Sequence, residues 1–416
     1  MTKLYNTFEF VGNINIPKNA ERFHKEQEFN SGWTKHTLNF AVQESKTNSA
    51  FVQMEGGYSK GKKNIVKTFG KGTENVKSPK IEIPWEDRLK PEVVDMVADF
   101  KKVVVDYTSD EETKNKINQL RYEIRTLEYK DELTEEEKGK LVELKDELKK
   151  TATERHEFIN KYDAVLFLAE SLEQHKDKKF RITGNVTYSA WKGKFYRNFD
   201  PELIEVVSSE EPSKLRATMD VFFTKDSMDD KDFEKDKKVY IDGYVLSYDS
   251  QAKKDQFFPQ QFVINAQKLD FTNETHVKRL EFFKNKFKIK GKGVYHLQWL
   301  VNIFRGADKV EFTYENLTAE QKEAVEFGLN KVEDFAPKGG VLGDNVEENR
   351  LVKPILQQVD QTNDFREGAV ESTYEEDDLQ YVVPEQKEQP KKEEVKVEKE
   401  EPKLEAEEVE LEDLFG

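Results

Sequence analysis

Trp191, Lys192, Gly193 and Lys194 set one large ring beside two cations, and Tyr196 and Arg197 follow at once. Lys179 and Arg181 lie just before them. Far earlier, Trp33 has Lys35 beside it, and Phe51 is followed by Lys60, Lys62, Lys63 and Lys67. An aromatic ring stacks on the face of any nucleobase, at about 1–3 kcal/mol per base. Cations beside it neutralise phosphates and make binding depend on salt. The chemistry open to these residues together is to hold a single-stranded nucleic acid. Trp33, Phe51, Trp191 and Tyr196 would stack, and Lys35, Lys60, Lys62, Lys63, Lys67, Lys179, Arg181, Lys192, Lys194 and Arg197 would track phosphates. A lone ring can instead pack beneath a loop, and a lysine run can be a solvated loop. Four rings interleaved with ten cations favour the binding reading.

The element that must position the first group is a strand, a tip and a second strand. Phe180, Ile182, Val186 and Tyr188 alternate with Arg181, Thr183, Asn185 and Thr187, the period of a half-buried strand. Gly184 interrupts the buried row, as glycine does where a barrel strand bends. Residues 4–16 alternate in the same way around Phe8, Phe10, Gly12, Ile14 and Ile16. From Trp33 to Val42, Leu38, Phe40 and Val42 take the core face, and Trp33, Lys35, Thr37 and Asn39 take the wet one. His36 falls on the core face, as a structural imidazole. In Phe51–Glu55, Val52 and Met54 point inward and Phe51 and Gln53 outward. Gly56–Lys63 reads as a basic tip with Asn64–Phe69 returning from it, and Ile81–Trp85 as a short strand.

Pro91 suits a first helical turn, and the spacing of Val93, Val94, Met96, Val97, Phe100 and Val104 predicts a helix to about Tyr107. Ile117, Leu120, Ile124 and Leu127, then Leu141, Leu144 and Leu148, step by three and four. Thr134 with Glu137 is a capping box between the two runs. Residues 109–152 therefore predict an antiparallel coiled-coil hairpin. A further helix is expected over Glu157–His175. The order is three strands, a helical insertion and two strands, which is the order of the OB-fold, a five-stranded barrel with its helix between the third and fourth strands.

Val239-x-Ile241-x-Gly243-x-Val245 repeats the pattern of Phe8–Ile14 and Phe180–Val186. It lies in a second β-rich stretch, with strands at Leu215–Phe223, Lys238–Tyr248 and Gln261–Leu269, later strands within Phe287–Phe312, and a helix over Thr318–Leu329. The expected fold is mainly β with an α insertion. It comprises an OB-like barrel over 1–208 carrying the helical hairpin, a second β-rich domain over 209–340 that could be another OB-like barrel, and a linker with a disordered acidic tail over 341–416. From Asp364 onward there are 20 acidic and 7 basic residues, with too few apolar side chains to order the segment.

The net charge of −16 conceals this division, because the first 363 residues carry 63 acidic and 60 basic residues. Within them, 46–80, 174–197 and 276–293 are each net +6. Local basic stripes can bind a polyanion whatever the total charge. The chain has no cysteine, which excludes disulfides, zinc–thiolate sites and thiol catalysis. His24, His36, His156, His175, His276 and His296 show no paired metal-ligand spacing. Gly56–Lys62 fits the spacing of a phosphate-binding loop, but Lys63 stands where Ser or Thr is needed and a strand follows where a helix is needed. No paired-carboxylate nuclease motif stands out. A binding protein without a cofactor or metal is expected, not an enzyme. No apolar run approaches a membrane span and the N-terminus lacks a signal-peptide core. A cytoplasmic protein is expected, in the host cytoplasm if of phage origin.

A basic, aromatic OB-type barrel followed by an acidic tail with an apolar end resembles the single-stranded-DNA-binding proteins of bacteria and their phages. In that family the tail closes on acidic residues, proline and phenylalanine. Here Glu410–Gly416 is similar, but it has no proline, a leucine among the acids and a terminal glycine. The resemblance implies sequence-independent binding of single-stranded DNA in phage replication or recombination. It implies a tail that competes with DNA and recruits replication or recombination proteins through Glu412, Asp413, Leu414 and Phe415. Two other classes fit the same residues: a phage assembly adaptor working through the coiled-coil hairpin, and a single-stranded RNA binder. The closing hairpin, Trp33, Phe51 and the Lys60–Lys63 tip are expected to share one groove.

Overall fold

The computed structural model describes residues 6–60, 63–310, 312–337, 341–355 and 368–383. In chain order the elements are β1 (Thr7–Asn15), α1 (Ala20–Phe23), β2 (His24–Glu28), β3 (Trp33–Ser45), β4 (Asn48–Ser59), β5 (Ile65–Phe69), β6 (Lys80–Pro84), α2 (Pro91–Met96) and β7 (Val103–Asp106). Then come α3 (Glu111–Glu128), α4 (Glu135–Thr151), β8 (Arg155–Phe158), α5 (Lys161–Ser171), β9 (Lys179–Trp191), β10 (Lys194–Val207), β11 (Lys214–Phe223) and β12 (Met228–Asp229). The remainder are α6 (Phe233–Asp236), β13 (Lys238–Asp249), β14 (Lys254–Asn265), α7 (Glu274–Phe287), β15 (Tyr295–Val310), α8 (Ala319–Glu326), β16 (Val341–Pro354) and β17 (Val370–Glu371). The chain is mainly β, with one large mixed sheet and several helices.

Two circuits of strands organise that sheet. β1 pairs along one edge with β9, from Thr7↔Asn185 to Asn13↔Lys179. Its far half pairs with β3 on the other edge, β3 pairs with β4, and β9 pairs with β10. β10 lies against β4. The second circuit closes fully: β11 pairs with β13, β13 with β14, β14 with β16 in parallel, β16 with β15, and β15 with β11. Between the third and fourth strands of each circuit a helix packs on the core: α5 in the first and α7 in the second. α5 buries Ala164, Val165 and Leu168 and is capped by Asn160, whose side chain accepts from the Asp163 N–H. α7 buries Leu280, Phe283 and Phe287. The near half of β1 pairs with β11, so the circuits share one sheet, and one apolar core runs through both.

Alternation places the apolar rows, but Thr37, expected on the wet face of β3, is buried. Phe180, Ile182, Val186 and Tyr188 are buried, as are Leu38, Phe40 and Val42. His36 is buried too, with its Nδ1 3.0 Å from His24 Nε2. A β-carbon on Gly12 would meet the carbonyl of Gln43, and one on Gly184 the carbonyl of Asp200. The helical hairpin also forms, with Asp110 and Thr134 capping its helices. Leu120, Ile124 and Leu127 meet Leu141, Leu144 and Leu148 along its seam.

Several element boundaries differ from the pattern reading. β5 pairs with β6 as a separate two-stranded sheet instead of returning along β4. α2 stops at Met96, and the β-branched run Val103–Val105 forms a strand beside β10. Arg155–Phe158 pairs with that strand, so the following helix starts only at Lys161. The lysine-rich stretch at 276–293 contains α7, and the stretch read as linker after Lys338 contains β16.

The helical hairpin is held down on the body by ion pairs. Lys71 bridges Asp95 (3.0 Å) and Glu128 (2.7 Å), Lys145 reaches the same two carboxylates, and Arg125 meets Asp99 at 2.6 Å. Arg121 and Lys102 converge on Glu157, with the Lys102 side chain only 4% exposed. Burial opposes the charge on Glu157, but Arg121, Lys102 and Arg155 outweigh it and lower its pKa from 4.5 to about 2.

Three outcomes follow for denaturation. Gly12→Ala and Gly184→Ala should each destabilise by about 1–3 kcal/mol or more through overpacking, whereas Gly139→Ala, with open space around it in α4, should stabilise by up to ~1 kcal/mol. Glu157→Ala should cost about 3–5 kcal/mol, because buried Lys102 loses its hydrogen-bonded partner and keeps only Asp99 at 3.6 Å. Because the folded pKa is depressed, the Glu157 contribution is complete above the ordinary value of 4.5 and is lost as pH falls toward about 2. A urea midpoint for Glu157→Ala that converges on wild type over that acid range checks the sign.

Candidate nucleic-acid interface

β9 and β10 join through a two-residue turn in which Lys192 and Gly193 both have positive φ, 49° and 76°. That twist matches the flanking strands, and it projects Trp191, Lys192 and Lys194 outward. Trp191 is 55% exposed and Tyr196 49%. Lys192 Nζ sits 5.9 Å from the Trp191 ring centre. Phe195 turns the other way, edge-on to Phe258 and Tyr381.

The hairpin between β13 and β14 touches this tip, Gln251 Nε2 donating to the Ala190 carbonyl at 3.4 Å. It brings Tyr248, 59% exposed, and the exposed Lys253 and Lys254. Among the described residues, the ion pairs involve none of Lys192, Lys194, Lys253 and Lys254. Asp255 is exposed among them. Tyr248, Lys253 and Lys254 were not anticipated from sequence. The outward row Tyr240, Tyr244, Tyr248 alternates with Val239, Ile241 and Val245 and would have flagged the ring. No local pattern ties its hairpin to Trp191.

Most other expected cations already have carboxylate or carbonyl partners. Lys35 pairs with Glu55 (2.8 Å), Lys60 with Glu28 (2.8 Å) and Lys67 with Glu82 (2.9 Å). Arg181 meets Glu205 and Glu211, each at 2.6 Å, and Glu9 at 3.4 Å. Lys179 donates to the Ser209 and Glu211 carbonyls. Arg197 donates to Asn349 and to Glu347. Lys63 is exposed. Lys62, Glu412, Asp413, Leu414 and Phe415 lie outside the described residues.

The four expected rings are not gathered at one point. At Asn13, β1 faces Gln43 of β3 and Lys179 of β9. Trp33 lies back along β3 from that level and Trp191 forward along β9, toward opposite ends. Trp33 is 39% exposed, its ring lying over Gly57. Phe51 lies between, half-buried, with the Arg305 guanidinium 4.6 Å from its ring centre. Trp191, Tyr196, Lys192 and Lys194 are the members the fold does bring together.

A large cleft, about 1070 Å³, separates the helical hairpin from the body. Its cations Lys71, Lys102, Arg121, Arg125, Lys145 and Arg155 are engaged by Asp95, Asp99, Asp106, Glu128 and Glu157, whereas Lys149 of the same lining forms no ion pair among the described residues.

No protein-family model matches the chain, and no curated protein matches it. Among solved structures, a deletion mutant of the single-stranded DNA binding protein from Thermus aquaticus is similar at 7% identity. The match covers 73% of this chain and 89% of that one, with a TM-score of 0.26, too low to bear on function. No helix among the described residues is long and apolar enough to cross a membrane.

A tip that serves binding should be dispensable to folding. Trp191→Ala should leave the urea midpoint within about 0.5 kcal/mol of wild type, while Tyr188→Ala, three residues away in the core, should cost about 3–5 kcal/mol.

Proposed function

We propose that the chain binds single-stranded DNA without sequence preference, acting as a binder and not as a catalyst. The observation that carries this is the tip: exposed Trp191, Tyr196 and Tyr248 beside four lysines that form no ion pair among the described residues. Rings and free cations at one edge suit a strand whose bases stack and whose phosphates seek charge.

The strand order supports the same reading. We take both circuits as OB-type barrels, because each runs first, second, third, fifth, fourth and back to first, with a helix after the third strand. OB-folds bind oligonucleotides on the face of their second and third strands and on the loops after the first and fourth. In the first circuit the loop after the fourth strand is Trp191–Lys194, and Trp33 opens the second strand. Trp33 stands toward the opposite end of the circuit from Trp191, so a strand touching both would have to run the length of the circuit past Phe51. The first domain spans 1–208 with the helical hairpin inserted at 109–152. The second starts at 209 and extends through β16. We infer a cytoplasmic role in DNA replication or recombination, of phage type by resemblance, with Glu412, Asp413, Leu414 and Phe415 recruiting partner proteins.

Fluorescence anisotropy of a labelled oligo-dT at low and moderate salt tests this. Trp191→Ala with Tyr196→Ala should weaken binding by about 1–3 kcal/mol per ring at constant salt slope. Lys192→Ala with Lys194→Ala should flatten the slope by roughly 1–2, and Arg181→Ala should barely change it. Absence of binding at low salt would remove the reading and favour the assembly adaptor. An oligo-U bound more tightly than oligo-dT would move the assignment to RNA.

A further inference from the structure

The outward face of the second circuit carries its own row of rings. Phe222 of β11 stacks on His296 of β15, centres 5.1 Å apart and planes at 17°, and meets Phe257 of β14 at 5.0 Å. Tyr244 and Leu246 of β13 join the same cluster. These rings are not bare. Residues 368–383 run across them. β17 pairs with Tyr295 and His296, and the Ser372 N–H donates to the Val294 carbonyl at 2.8 Å. The Tyr374 ring stands edge-on to Phe257 at 4.9 Å and to Phe222 at 6.0 Å. Leu379 is buried in the same cluster. Tyr381 donates its hydroxyl to Asp249 at 2.5 Å, and the Val382 N–H donates to Gln256 Oε1 at 3.0 Å.

Three features set this strap apart from the elements beneath it. Its ladder is two residues long. Its acids, Glu371, Glu375, Glu376, Asp377 and Asp378, form no ion pair among the described residues. Beside a few hydrogen bonds, what holds it is apolar and aromatic: Tyr374, Leu379 and Tyr381. Its course also has direction. It begins beside the exposed Lys292 and ends at the β13–β14 hairpin with Lys253 and Lys254. There Tyr381 meets Phe195, on the strand that leaves the Trp191 tip. An acidic chain that seats rings on rings, along a path with exposed lysines at both ends, has the chemistry of a single strand with stacked bases and phosphates.

We propose that the Phe222–Tyr244–Phe257–His296 face is a second base-stacking site for single-stranded nucleic acid, and that residues 368–383 are its displaceable occupant. The proposal rests on the single-strand reading given above. A strand seated at the Trp191 tip extends onto this face only by lifting the strap. Apparent affinity for a long strand is therefore reduced by the fraction of molecules with the face open.

Hydrogen exchange on the intact chain tests it without any substitution. The probes are the amides of Ser372 and Val382, whose bonds to Val294 and Gln256 hold the strap. A saturating oligo-dT longer than two sites of roughly 4–16 nucleotides each should speed their exchange at least about ten-fold, while one shorter than a single site should not. Tyr374→Ala with Leu379→Ala should tighten binding of the long oligonucleotide several-fold, and adding Phe257→Ala should reverse that gain. Strap amides that stay protected under a long oligo-dT that demonstrably binds would overturn the strap proposal alone. An oligo-dT that does not bind at low salt would overturn the single-strand reading and this proposal with it.

Discussion

The two edges of β1 set the arrangement of everything else. One edge is taken wholly by β9, and the other is divided between β11 and β3. Asn6, just before the strand, is buried and makes three hydrogen bonds: its amide donates to the Leu246 carbonyl, its side-chain oxygen accepts from the Asp220 N–H, and its own carbonyl accepts from the Val186 N–H. A buried polar group left unpaired costs about 1–3 kcal/mol, so this residue fixes where three strands meet. Because β1 belongs to one circuit and β11 to the other, the circuits cannot rotate independently without breaking that ladder. The Trp191 tip and the β13–β14 hairpin therefore hold a fixed relation.

Electrostatics explains why few of the many lysines remain candidates. Clusters of net +6 along the sequence suggest broad basic stripes, yet the fold brings carboxylates from distant segments to them. Arg181 has a positive neighbourhood in sequence, but in space it faces Glu9, Glu205 and Glu211. A phosphate there must displace a carboxylate already at hydrogen-bond distance. At Lys192 and Lys194 no such competitor stands among the described residues, so the tip gains most from a polyanion although the local charge count does not single it out.

Legibility followed the range of the interactions. The β9–β10 hairpin, its buried row and its exposed ring were readable because a two-residue turn and a period of two are local. The helical hairpin was readable because Thr134, Glu137 and the leucine steps lie within it. The partner of β5 was not, since β4 and β6 offer similar alternation and only tertiary packing chooses between them. α7 was hidden because Leu280, Phe283 and Phe287 are embedded in lysines that dominate any reading by charge. β16 follows glycines and acids that look like a linker, and the strap sits in an acidic stretch whose few rings gain meaning only against Phe222 and Phe257. Of the candidate interface, the half on β9 and β10 was visible. The half on β13 and β14 depends on a contact between hairpins about sixty residues apart.

The closure of the second circuit by β16 bears on how the chain is made. β14 gains its parallel neighbour only after β15, α8 and the residues beyond have been synthesised. Until then the emerging polypeptide exposes an unpaired edge of β14, the kind of template on which nascent chains associate with one another. The helical hairpin, whose contacts are local, can form early, while the circuits must wait for pairings far along the sequence, which slows folding. Lys254 and Asp255 at the start of β14 and Pro259 within it make that waiting edge a poor template, through charge and through a missing amide donor. The sequence of β14 thus guards an edge that β16 pairs only at Phe262 and Val263 in the finished fold.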